Sequence, residues 1–121
     1  SHERVELAVR KAREEELKKI DLYGVSIEFG ATSPYKGRVD TYDCIIFLNC
    51  FCKGNQGTNA DLGALQLSKE IKQLLDEVNN LSTTDLKVYQ FKFFSAEDDP
   101  IYDKEIHAYR YTVAFKARWK E

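Results

Sequence analysis

Three groups of side chains in this sequence could do chemistry. His107 follows Tyr102, Asp103 and Glu105, and a histidine beside carboxylates can work as a general base. These residues do not assemble into any recognised nucleophile arrangement, and a His at the edge of an aromatic strand is expected to be structural. Cys44, Cys50 and Cys52 lie in one apolar run, with Cys50 and Cys52 on the same side of an extended strand. Zinc wants four ligands and usually a wider Cys spacing, so reduced thiols serving as small hydrophobes are expected. Glu97, Asp98 and Asp99, with Asp103 and Glu105, could bind calcium. The loop holds no Gly for the tight turn of a calcium site, which leaves a solvated hairpin connection.

Two further segments have familiar binding chemistry nearby. Gly54-Asn55-Gln56-Gly57-Thr58 stands between an expected strand and helix, where phosphate loops occur, but it matches neither glycine-rich phosphate signature. A loop with a helix cap accounts for the same residues. Arg110, Lys116, Arg118 and Lys120 form a basic stripe whose neighbouring aromatics face the other way. Single-strand nucleic-acid binders put both on one face, so a solvated or intersubunit face is expected and no specific nucleic-acid binding. No catalytic group, cofactor site or metal site is assigned, and an enzyme is not expected.

The composition sets the same limits. The 121 residues fit one domain, 1–121, in which Ser1-His2 reads as a tag remnant. Lys plus Arg total 18 against 20 acidic residues, for a formal charge of −2, which gives no sign of a nucleic-acid coat or membrane surface. With 43% hydrophobic and 31% charged residues, the chain can form a core and stay in solution. No apolar run reaches the length of a membrane helix, and no leader is expected.

The elements that must position these groups follow from hydrophobic periodicity. Glu3 to Ile20 reads as an amphipathic helix with a thin apolar stripe of Val5, Val9, Ala12, Leu17 and Ile20. Leu22 to Phe29 alternates, which predicts a strand with Tyr23, Val25, Ile27 and Phe29 buried. Gly30 to Asp40 reads as a loop. The cysteine strand, Tyr42 to Cys52, is apolar on both faces and belongs in the middle of the structure or at an intersubunit contact. Thr58 or Asn59 caps a long helix to about Asn79, with Ala60, Ala64, Leu67, Ile71, Leu74, Leu75 and Val78 inward. After a turn over Asn79 to Asp85, Lys87 to Phe93 alternates with Tyr89, Phe91 and Phe93 inward. The last strand, from Glu105 to Trp119, puts His107, Tyr109, Tyr111, Val113, Phe115 and Ala117 on one face. At roughly 3.3 Å per residue it approaches 50 Å, so it must bend or reach beyond its own domain. The expected fold is α+β: a mostly antiparallel four-stranded sheet, with the long helix and the N-terminal helix packed on one side.

A resemblance adds to this reading. Pro34-Tyr35-Lys36-Gly37 leads through the cysteine strand to Phe51, then to a Gly-containing loop and a long helix that opens near the element Gly63-Ala64-Leu65-Gln66-Leu67. With the closing aromatic strand from His107 to Phe115, this order resembles the tail-terminator proteins of tailed phages and prophages, of the phage Mu and lambda types. The charged helical start departs from that family. The resemblance implies a ring, usually a hexamer, that caps the tail tube and meets the head-completion proteins, with DNA passing through it. It places the protein in the virion tail, assembled in the bacterial cytoplasm. Ring contacts are expected around Phe51, the loop residues Lys53, Asn55, Gln56 and Thr58, the acidic residues Asp98 and Asp99, and the basic Arg110, Lys116 and Arg118. The alternative is a ligand-binding domain with Tyr89, Phe91, Tyr109 and Tyr111 around a pocket between sheet and helix.

Overall fold

The computed structural model describes residues 14–55, 57–76 and 87–120. The described chain starts in a helix, α1, over residues 14–18. Two tight turns end it, with Lys19 N donating to Glu16 O at 3.2 Å and Ile20 N to Leu17 O at 3.4 Å. Strand β1, Tyr23–Pro34, turns back into β2, Thr41–Lys53. Helix α2, Ala60–Asp76, follows, and then β3, Lys87–Ala96, β4, Ile101–Asp103, and β5, Ala108–Lys120. The expected helix before residue 14, the end of the long helix at Val78 and Asn79, the turn over Asn79 to Asp85, and Gln56 lie outside the described residues.

The sheet is antiparallel, and the α+β class holds. It has five strands rather than four, in the order β1-β2-β5-β3, with β4 also on β5. Lys87 to Ala96 pair with Lys120 to Val113, and Ile101 to Asp103 pair with Arg110 to Ala108. β3 and β4 therefore follow each other along one side of β5, interrupted by the acidic loop. This is how the long final strand is used up. All 13 of its residues also pair with β2, from Thr41↔Lys120 to Lys53↔Ala108. It does not reach beyond the sheet.

The two helices lie on opposite faces, which corrects the expected one-sided packing. Residues paired across strands share a face, as do residues two apart on one strand. Leu48, Cys52, Tyr111, Val113 and Phe115 form one core with Ala60 and Ala64 of α2. Phe51 and Ala108, on the reverse side, pack with Leu17, Ile106 and Ile20. One face of β2 meets α2, and Phe51 on the other meets α1.

Close approach decides the local sequence of α2. A Cβ on Gly63 would stand 2.5 Å from Cys52 Sγ, so only glycine lets the helix sit this near β2. The inward stripe is Ala60, Ala64 and Ser68, with Ile71 and Leu75 continuing it. Ser68 satisfies its hydroxyl by donating to Leu65 O at 2.6 Å. Leu74, expected inside, is 62% exposed. On the sheet below, Phe115 is 1% exposed, stacked on Phe91 at 5.0 Å and edge-on to Phe93 at 6.1 Å.

Three strand readings also change. β1 continues to Pro34 across a register shift between Phe29 and Thr32, so the loop spans only residues 35–40. The face of β1 expected to be buried is the exposed one: Tyr23, Val25, Ile27 and Phe29 all lie in the exposed class, whereas Ser26 on the other face is buried. β1 is an edge strand and α2 packs over β2 and β5, so nothing in the alternating pattern says which face a helix covers. His107 is a turn residue before β5 with φ of 57°, not a member of its aromatic face.

Candidate functional site: the sheet edge and its charged ends

The residues expected at ring contacts do not form one patch. Phe51 is 3% exposed and belongs to the core under α1, so it offers no surface. Lys53 is half-buried and donates from Nζ to Lys18 O at 2.8 Å, anchoring the end of α1. Asn55 O accepts from the Thr58 backbone N at 3.1 Å and from its hydroxyl at 2.7 Å. Asn59 O accepts the helical bond from Gly63 N at 3.1 Å, so the Asn55–Thr58 turn serves to start α2. Asp98 and Asp99 are exposed in the loop between β3 and β4. Arg110 stands near that loop, 3.6 Å from Glu97 Oε1 through its Nε. Lys116 and Arg118 lie toward the far end of β5.

At that far end Arg118 is held from two sides. Its Nε and Nη2 donate to the two carboxylate oxygens of Asp43 at 2.8 and 3.3 Å. Its guanidinium carbon is 3.5 Å from the centroid of the Tyr35 ring. The hydrogen bond from Arg118 holds the Asp43 carboxyl below its ordinary pKa. Lys120 does the same for Asp40 at 3.3 Å. Lys36, then Arg118 and Arg38, draw down the Tyr35 phenol. Lys36 and Gly37 turn the loop with φ of 48° and 74°.

A polar row crosses the middle of the same sheet face. Asn49, 8% exposed, donates through Nδ2 to Ser26 Oγ at 3.1 Å and Glu28 Oε1 at 3.2 Å. Its Oδ1 accepts from the Thr112 hydroxyl at 2.6 Å. Thr112 continues the row through its backbone, donating to Glu97 Oε1 at 3.0 Å and accepting from Glu97 N at 3.0 Å. The row ties β1, β2, β5 and the acidic loop into one register. Its one sequence signal is Asn49 itself, the amide within an otherwise apolar strand. The sequence reading did not use it.

The α2 face carries the apolar feature. Val25 is 42% exposed, Ile27 51% and Phe29 73%, side by side along the β1 edge. Phe29 also walls a cavity of about 340 Å³, with Cys44, Ile46, Val88, Phe91 and Trp119 around it. Of the described residues expected around a ligand pocket, Phe91 lines this cavity. Tyr109 and Tyr111 pack in the core with α2 instead, and the side chain of Tyr89 lies outside the described set.

The cysteines belong to this face too. All three are buried free thiols, and Cys50 is fully enclosed. Burial pushes the Cys50 thiol up to about 11 and raises Cys52 as well, which keeps both protonated and unreactive at neutral pH. Among the described residues, no three His, Cys, Asp or Glu side chains are placed to hold a metal ion. None of the described helices is long and apolar enough to cross a membrane.

No protein-family model matches this chain, and no curated protein is significantly similar to it.

Proposed function

We propose that this protein is a self-assembling structural subunit of the phage tail-terminator type, which forms a ring that caps a tail tube and joins it to head-completion proteins. The observation that carries the reading is the β1 edge. An edge strand offers unpaired backbone groups to a neighbour, and proteins that stay apart usually blunt such edges with charge or proline. β1 carries Glu28, a register shift after Phe29 and a terminal Pro34, but Val25, Ile27 and Phe29 before them stand exposed in a row. A second copy covering this row would remove large apolar side chains from water, which favours association by about 25 cal/mol per Å² buried. The resemblance in element order and in the Gly63-Ala64 helix opening supplies the tail-terminator assignment and the expected hexamer.

Sedimentation velocity and negative-stain microscopy test it, alone and with a purified tail-tube protein. A closed ring is expected. Replacing Ile27 and Phe29 with Lys should abolish the ring and leave circular dichroism unchanged, because both side chains are already exposed. A wild-type protein that stays monomeric at its highest attainable concentration, with and without tube, would sink the reading.

The apolar cavity supports a second reading, an apolar ligand site. Its volume of about 340 Å³ is within the usual range for small-molecule sites. Trp119, the one tryptophan, lies on its wall and reports occupancy. Titration with a medium-chain fatty acid should shift Trp119 emission, and an unchanged spectrum through saturation would remove this alternative.

A further inference from the structure

Lys92 of β3 stands directly opposite Lys116 of β5, and Lys87 stands directly opposite Lys120. All four side chains are exposed, on the sheet face that carries Asp43 and Arg118. Like charges at directly opposed positions destabilise an antiparallel pair. Asp43 and Asp40 pair with Arg118 and Lys120, but the described residues give Lys92 and Lys116 no ion-pair partner. Exposed Lys36 and Arg38 in the β1–β2 loop add to the same end.

The compensating charge is at the other end of the same strand. Asp98, Asp99 and Glu105 are exposed around β4, beside Arg110. The acidic loop stands beside Tyr111 and Thr112, with Glu97 N donating to Thr112 O and Ala96 opposite Val113, so four residues of β5, about 13 Å at 3.3 Å per residue, separate it from Lys116. Among the described residues, the exposed charges around the second half of β5 are mostly basic and those around its first half, Lys104 apart, mostly acidic. A nucleic acid would be attracted to the basic end and repelled by the acidic one. A second copy satisfies both ends with one repeated contact.

We infer that the Lys92–Lys116 face of one protomer receives the acidic 97–105 segment of the next copy, head to tail. This rests on the assembly reading above and gives it an orientation. A head-to-tail contact uses two different surfaces on each protomer, which is the interface type that generates rings when the rotation closes. Charge complementarity sets register and the rate of encounter in this contact.

Two charge-reversed proteins test the inference, Lys92→Glu with Lys116→Glu, and Asp98→Lys with Asp99→Lys. All four side chains are exposed, and circular dichroism checks each fold; Gln in place of each reversal serves if a reversed protein fails to fold. In sedimentation velocity, wild type should assemble at low salt and weaken as salt rises. Each reversed protein alone should be monomeric. An equal mixture should assemble again, because every contact then joins opposite charges in alternating order. Assembly of both reversed proteins at wild-type strength would overturn the inference and leave the assembly reading standing. Wild type that is monomeric throughout would overturn both. If the wild type binds mixed-sequence single-stranded DNA, and only the Lys-reversed pair loses it while assembly is unchanged, the basic face is a nucleic-acid surface and the inference fails.

Discussion

Gly63 of α2 and Cys52 of β2 are in such close contact that a Cβ on the glycine would lie 2.5 Å from the cysteine sulfur. Helix propensity alone would favour alanine at position 63 by about 1 kcal/mol. Overpacking a filled core costs about 1–3 kcal/mol, and here the obstructing atom belongs to a buried side chain rather than a flexible tip. Gly63→Ala should therefore destabilise the protein in urea unfolding, by up to about 2 kcal/mol net. Cys52→Ala should recover part of that loss in the double variant. Simple additivity of the two changes would show that the sulfur is not the obstruction.

Asn49 and Thr112 form the shortest link in the polar row. Asn49→Ala leaves the buried Ser26 hydroxyl and the half-buried Thr112 hydroxyl without their partner and should cost about 1–3 kcal/mol. Thr112→Val should cost less on its own, since it removes one hydroxyl from the row. The double variant should lose less than the sum of the two, because each single change strands a group that the double removes. A double-mutant cycle by urea denaturation measures this. Zero coupling energy would deny that the 2.6 Å bond contributes.

Cys50 gives an alkaline signature. Its folded pKa, about 11, is raised above the ordinary thiol value of about 8.5. The buried thiol thus favours the fold fully below pH of about 8.5, and that contribution is lost as pH climbs toward the folded value. Cys50→Ala should be less stable at neutral pH but show a shallower decline between those two pH values. In native protein all three thiols should resist a disulfide reagent and react only after unfolding. Rapid labelling of the native state would contradict the burial.

Asp43 gives the opposite, acidic signature. Its folded pKa is depressed by the hydrogen bond from Arg118, so its contribution is present above the unfolded pKa of about 3.9 and lost as pH falls through the folded one. Asp43→Asn should lower the melting temperature at neutral pH. The gap between variant and wild type should close in strong acid. A gap that persists there would assign the loss to packing against Tyr35 and Arg118 rather than to charge.

Much of this architecture was legible because it follows short-range patterns. The alternation of Leu22 to Phe29 and of Tyr109 to Ala117 gives strands, and the Ala60, Ala64, Ile71 and Leu75 spacing gives α2. Two apolar faces on Tyr42 to Cys52 correctly announce a central strand. What periodicity cannot supply is which face receives which helix. That is why Tyr23 to Phe29 was assigned inward and both helices to one side. Partnerships across the sheet were equally hidden. Arg118 and Asp43 are 75 residues apart, and only the β2–β5 register brings them opposite each other. Phe51, expected at a ring contact, is instead covered by α1, which lies on the face opposite α2.

The central position of β5 has a consequence for synthesis. The strand that pairs with every residue of β2 is synthesised after all the other described strands of the sheet. Until it emerges, β2 has β1 along one edge and nothing along the other, with a helix waiting for each of its apolar faces. The pairings that complete the sheet are also distant in sequence, such as Thr41↔Lys120, and contacts of that kind slow folding. Nascent chains in a crowded polysome would expose the same open edge to one another. Loss of even the final strand's last few residues would shorten the spine of the sheet on both sides at once, since Lys120 pairs with Thr41 and with Lys87.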